Sequence, residues 1–319
     1  LNIASLTHLE LLWCYNNQLS TLNITGAMTS LHELNCTGNQ LTALNIPTLV
    51  NLEILRCGSN QLTNVNTTNL LNLKTYECDR NLMSTLNVSG LPILEGLSCS
   101  YNQLTTLTIT NLASLKGLSC NNNLLTTIDF TGVSNMQYLN FSYNAFPSAN
   151  LSIMPSLKEI SCQNNQLTSI NVNGLVNLEQ LLCMDNLLTS LNVTGLNNLK
   201  LVWADTNQLT SINASGLPNL LQLKCSHNQL TTLDVSGLPS LFNLYCPFNL
   251  LTTLDVSGLS SLSNLACGNN LLSALDVSAL TNLTRLECAH NTIPLLDVSG
   301  MTNLQYLFCS YNQIPALDL

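Results

Sequence analysis

The stretch Leu241–Leu259 reads LFNLYCPFNLLTTLDVSGL, and its spacing decides the architecture. Leu241, Leu244 and Cys246 are apolar, while Asn243, Tyr245 and Pro247 alternate with the last two. That period of two predicts a short strand with one buried face. Asn249 follows three residues after Cys246, where the chain turns inward. A second alternation, Leu254 and Val256, leads to Gly258 and Leu259 and returns the chain along the other side. One such strand cannot bury its apolar face alone, so neighbours must stack beside it in parallel.

The neighbours are in the sequence. From Cys36, cysteine recurs every 21 residues at Cys57, Cys78, Cys99 and Cys120, and the same step reaches Cys162, Cys183, Cys225, Cys246, Cys267, Cys288 and Cys309. Phe141 and Ala204 fill the two rungs without sulfur, and Cys14 precedes Cys36 by 22 residues. This accounts for all 13 cysteines and defines 15 repeats. An asparagine stands three residues after every rung, from Asn17 to Asn312. The pattern L-x-x-L-x-C-x-x-N-x-L-x-x-L-x-V-x-x-L is the leucine-rich-repeat consensus, with cysteine where leucine usually closes the strand.

The expected fold is a right-handed leucine-rich-repeat solenoid, a horseshoe or gently curved rod of about 15 repeats of 21 residues. A parallel β-sheet should line its concave face, and strand spacing gives a length of roughly 70 Å. Ser263 follows Val256 by seven positions, too few for an ordinary helix, so the convex face should be extended or 3₁₀. Each ladder asparagine should satisfy backbone groups of its own and the next turn, at a cost of about 1–3 kcal/mol if removed.

With no composition break or linker, residues 1–319 read as one solenoid domain. Leu1 aligns with the convex Leu22, and Leu319 with Val298. Neither end carries a polar cap, which predicts a segment of a longer protein, uncapped at both ends. No apolar run approaches the ~18 residues of a membrane span. Charged residues make up 8% and the net charge is −9, with eight Lys and Arg spread along the chain. That leaves no basic patch for nucleic acid or an anionic membrane.

Thirteen cysteines cannot all pair. In an in-register parallel sheet their Cβ atoms should stay about as far apart as strands, ~4.8 Å, beyond the ~3.8 Å of a disulfide. A column of parallel thiols does not converge on a metal either. Free buried thiols acting as small hydrophobes are expected, with no metal and no cofactor. Such burial also makes the thiols compatible with secretion. The irregular repeats fit this packing account: Phe141 is offset by a small Ala149, while Ala204 and Ala214 leave their repeat under-filled or pinched.

The 21-residue period, the cysteine at the sixth position and the segment LTTLDVSGL (Leu230–Leu238 and Leu251–Leu259) resemble internalin-type bacterial surface proteins. Within that family the pattern resembles the internalin J-like subtype with a cysteine ladder. The resemblance covers essentially the whole chain. It implies a secreted or cell-surface adhesion module of a bacterium, often tied to host contact and virulence. The chain departs from the family in lacking a helical N-terminal cap and any C-terminal flanking or anchoring domain. The family shares no single ligand, so the resemblance transfers no binding residue.

Binding residues are sought among outward strand positions, most of them small or polar, such as Ser98, Ser100, Ser119, Asn121 and Ser161. Against them Leu182, Met184, Leu201 and Trp203 form an apolar patch on two adjacent repeats, with Tyr245 and Phe248 two repeats on. A secondary cluster is Tyr306, Phe308 and Tyr311; Trp13 and Tyr15 form a similar one near the N-terminus. Either could instead meet a flanking domain. Arg56, Glu77, Asp79 and Arg80 are expected to form solvated cross-strand pairs.

No carboxylate–histidine–nucleophile group recurs around His8, His32, His227 or His290, and the inward thiols are not nucleophiles. The chain therefore reads as a non-enzymatic, extracellular or cell-surface binding module that recognises a protein, such as a host surface protein, through its concave face. The alternatives are a glycan-binding module and a structural stalk presenting another domain. Neither nucleic acid nor membrane insertion is expected. A monomer is expected, with end-to-end stacking of uncapped ends as the variant.

Overall fold

A computed structural model describes residues 1–24 and 28–316; Leu319 lies outside the described residues. The chain forms two compact units, Leu1–Phe146 and Pro147–Leu319.

In the first unit, three-residue strands pair in parallel in chain order: Leu11–Trp13, Glu33–Asn35, Ile54–Arg56, Thr75–Glu77, Gly96–Ser98, Gly117–Ser119 and Tyr138–Asn140. In the second, the same order runs through Glu159–Ser161, Gln180–Leu182, Leu201–Trp203, Gln222–Lys224, Asn243–Tyr245, Asn264–Ala266, Arg285–Glu287 and Tyr306–Phe308. Register advances by one whole repeat per strand, so every position of the repeat becomes a column. From the second strand to Arg285–Glu287, the middle residue of each strand is buried and its first is half-buried or exposed, the alternation expected of a sheet with one covered face. The rung continues the ladder by one bond: the Cys246 N–H donates to the Ala266 carbonyl at 2.8 Å.

The return side is extended, as expected, and no described residue is in a 3₁₀ helix. Short strands pair there too: Thr85–Asn87 with Thr106–Thr108 in the first unit, and Ser190–Asn192 with Ser211–Asn213 in the second. Back-to-back tight turns then feed the next strand. Leu259 N–H donates to the Val256 carbonyl at 3.0 Å, and Leu262 N–H to Leu259 at 2.9 Å.

The asparagines hold successive turns together. The Asn249 side-chain amide donates to the Cys246 carbonyl at 3.1 Å and to Cys225 at 2.9 Å, while its oxygen accepts the Leu230 N–H at 3.0 Å. The neighbour served is thus the preceding turn rather than the next, because the chain has just passed its own rung and faces the one behind it. The residue before each of these asparagines is left-handed. It is glycine only at Gly38; elsewhere Tyr101 (φ 54°), Thr206 (φ 54°) and Phe248 (φ 56°) adopt it. Side chains seldom accept this conformation, β-branched ones least. It is held by bonds such as Phe248 N–H to the Gly268 carbonyl at 3.1 Å.

All 13 cysteines are free, and all but the half-buried Cys309 are buried. Burial pushes the Cys120 thiol up to about 12. Phe141 packs edge-on against Phe146 at 4.9 Å, a partner that the rung pattern did not single out. Ala204 and Ala214 are fully buried, and the Ala204 repeat keeps its register: its N–H donates to Lys224 at 2.8 Å and its carbonyl accepts from Asn228 at 3.0 Å.

Candidate functional site

The side chains just before the rung stand outward in one column. In the second unit this column runs Leu182, Trp203, Lys224, Tyr245, each in register with the next. Trp203 and Tyr245, two repeats apart, are joined by a residue the sequence pattern did not mark: the Lys224 ammonium lies 4.1 Å from the centre of the Trp203 ring and 5.6 Å from that of Tyr245. The Trp203 indole N–H donates to Gln222 Oε1 at 2.7 Å, which fixes the ring. Leu201 begins the Trp203 strand, so both flank the buried Val202 on the outward face. Met184 sits half-buried immediately after its rung, one column over. A cation over two aromatic faces is attracted by their quadrupoles, and more strongly where water is partly excluded.

Phe248 belongs to a different column. It occupies the left-handed turn, exposed, and stacks on His227 with ring centres 4.3 Å apart. The secondary cluster divides the same way. Tyr306 and Phe308 lie on one strand with the Arg285 guanidinium 5.5 Å and 5.0 Å from their rings, whereas Tyr311 stacks on His290 at 4.2 Å in the turn column.

In the first unit the expected cross-strand pairing holds for Arg56 and Glu77 but not for Asp79 and Arg80. Arg56 bridges Glu33 at 2.5 Å and Glu77 at 3.2 Å across three strands. Asp79 instead accepts from the Ser98 hydroxyl at 2.6 Å and the Ser100 N–H at 2.8 Å, and Arg80 lies 4.2 Å over the Tyr101 ring. Asp79 and Arg80 therefore sit beyond the rung, in columns that Arg56 does not share. Trp13 and Tyr15 are exposed. Among the described residues no three His, Cys, Asp or Glu side chains gather as a metal-holding group. Among the described residues no helix is long and apolar enough to cross a membrane.

Solved structures share this architecture. The functional domain of InlJ from Listeria monocytogenes, which includes a cysteine ladder, superposes with a TM-score of 0.87 at 30% identity, over 96% of this chain and 69% of that one. The chain belongs to the internalin family. YopM from Yersinia enterocolitica matches this internalin-family chain with a TM-score of 0.85 at 26% identity, over 100% of it and 72% of YopM. The Toll–Spatzle complex of Drosophila shares the fold alone, at 22% identity and TM-score 0.74, over 92% and 46% of the two chains. No family model and no curated protein matches the sequence.

Proposed function

We propose that this internalin-family chain is a non-enzymatic binding module of a bacterial surface or secreted protein, and that it recognises a protein partner through the strand face of Pro147–Leu319. The observation that carries this is the aromatic frame Trp203–Lys224–Tyr245, with Leu182 and Leu201 beside it on the strand face. Large, pre-oriented aromatic and apolar groups of this kind dominate protein interfaces. Membership of the internalin family supports the surface or secreted location.

The frame also favours protein over glycan. A sugar stacks on a bare aromatic face, but the ammonium of Lys224 covers one face of the Trp203 indole, and the indole N–H is already committed to Gln222. An array of surface proteins and glycans, probed with wild type and Trp203→Ala, tests the reading. A protein ligand lost in Trp203→Ala, with an unchanged melting curve, is expected. Binding confined to glycans, or protein binding untouched by Trp203→Ala, contradicts it.

A further inference from the structure

Lys224 differs from the other strand-face cation of its unit. Arg285 is paired with Glu287, and at the strand entry Lys200 meets Glu179 at 2.6 Å. Among the described residues, no carboxylate oxygen lies within 4.0 Å of the Lys224 ammonium. An ammonium carries three donors, and those of Lys224 reach no acceptor of the described residues; its only partners are the Trp203 and Tyr245 rings. The carboxylates of the three preceding repeats have partners of their own. Asp205 accepts the Ser226 N–H at 2.9 Å, Glu159 accepts from the Gln180 amide at 3.4 Å, and Glu179 holds Lys200.

The ammonium is therefore held in place by rings that satisfy none of its hydrogen bonds. A wholly apolar ligand covering Trp203, Leu201 and Leu182 would strip water from Lys224 and leave those donors unmet, which is costly. A carboxylate would meet them, and the fixed indole spares the site the cost of ordering it on binding.

We propose that the partner engages this surface through an acidic side chain set between large apolar ones, its carboxylate on the Lys224 ammonium and its apolar groups on Trp203, Leu201 and Leu182. This rests on the strand face of Pro147–Leu319 being a protein-binding surface.

A random dodecapeptide library displayed on phage is the probe. It is selected in parallel on the purified wild type, Lys224→Met, Lys224→Glu and Trp203→Ala, each with a wild-type melting curve. Wild type should enrich Asp or Glu flanked by large apolar residues. Lys224→Met keeps the aliphatic stem and should bind those peptides roughly tenfold to a hundredfold more weakly. Lys224→Glu should enrich Lys or Arg at the acidic place; if it fails to fold, the Lys224→Met comparison decides. Peptides without an acid that bind wild type and Lys224→Met equally, yet are lost on Trp203→Ala, overturn the role of Lys224 and leave the surface standing. No enrichment on wild type, or enrichment that survives Trp203→Ala, overturns both.

Discussion

The side-chain amide of Asn60 donates to the carbonyl of Cys36, the rung of the preceding repeat, at 3.0 Å. It also donates to Cys57 in its own repeat at 3.1 Å, and its oxygen accepts the Leu41 N–H at 3.0 Å. One buried side chain thus satisfies backbone groups of two turns that no water reaches. Asn60→Ala leaves those groups unmet and should destabilise by about 2–4 kcal/mol, seen as a lower denaturation midpoint. Asn17 donates within its own turn, to Cys14 and Tyr15, so Asn17→Ala should cost roughly half as much. Equal losses at the two sites would argue against inter-turn bonding as the source of stability.

The buried thiols predict a steep alkaline limit. Burial pushes Cys36, Cys120 and Cys183 up to about 12 from the ordinary 9.0. Near pH 9 the unfolded chain releases protons that the folded chain keeps. The contribution is therefore complete below pH 9 and declines as pH rises toward 12, by at most about 1.4 kcal/mol per pH unit for each thiol. Denaturation followed from pH 8 to 11 should show this fall. Iodoacetamide at pH 8 should label the half-buried Cys309 first and leave Cys120 unlabelled until the chain opens. Rapid labelling of Cys120 in the folded protein would contradict the ladder's burial.

Tyr76 replaces the usual leucine at the centre of its strand and is fully buried. Its hydroxyl lies beside the Cys78 thiol without meeting any group in hydrogen-bonding geometry. Tyr76→Phe removes a desolvated hydroxyl while keeping the ring, so it should stabilise by about 1 kcal/mol. A loss of stability, measured by denaturant titration, would show that the hydroxyl is satisfied.

The repeat made the buried columns legible because their chemistry recurs: leucine inside, cysteine at the rung, asparagine at the turn. Positions whose identity varies were not legible in the same way. The left-handed turn is marked by glycine only at Gly38 and hidden elsewhere behind Tyr101, Thr206 and Phe248. Phe146 sits where the pattern allows any large apolar residue, so its pairing with Phe141 had no local signal. Trp203 and Tyr245 were visible as large outward residues, but Lys224 gains its meaning only from register, which sets one repeat beside the next. The same register separates Phe248 from Tyr245, though only two residues divide them in sequence.

The binding account is tested most directly by the dissociation constant of a captured protein ligand for wild type and Trp203→Ala, with melting curves of both. The indole is exchanged for a methyl group while Val202, which carries the core packing of that strand, is untouched. The account predicts an affinity loss of about 2 kcal/mol or more, roughly thirtyfold, at unchanged stability. Affinity within a few-fold of wild type would place recognition elsewhere and contradict it.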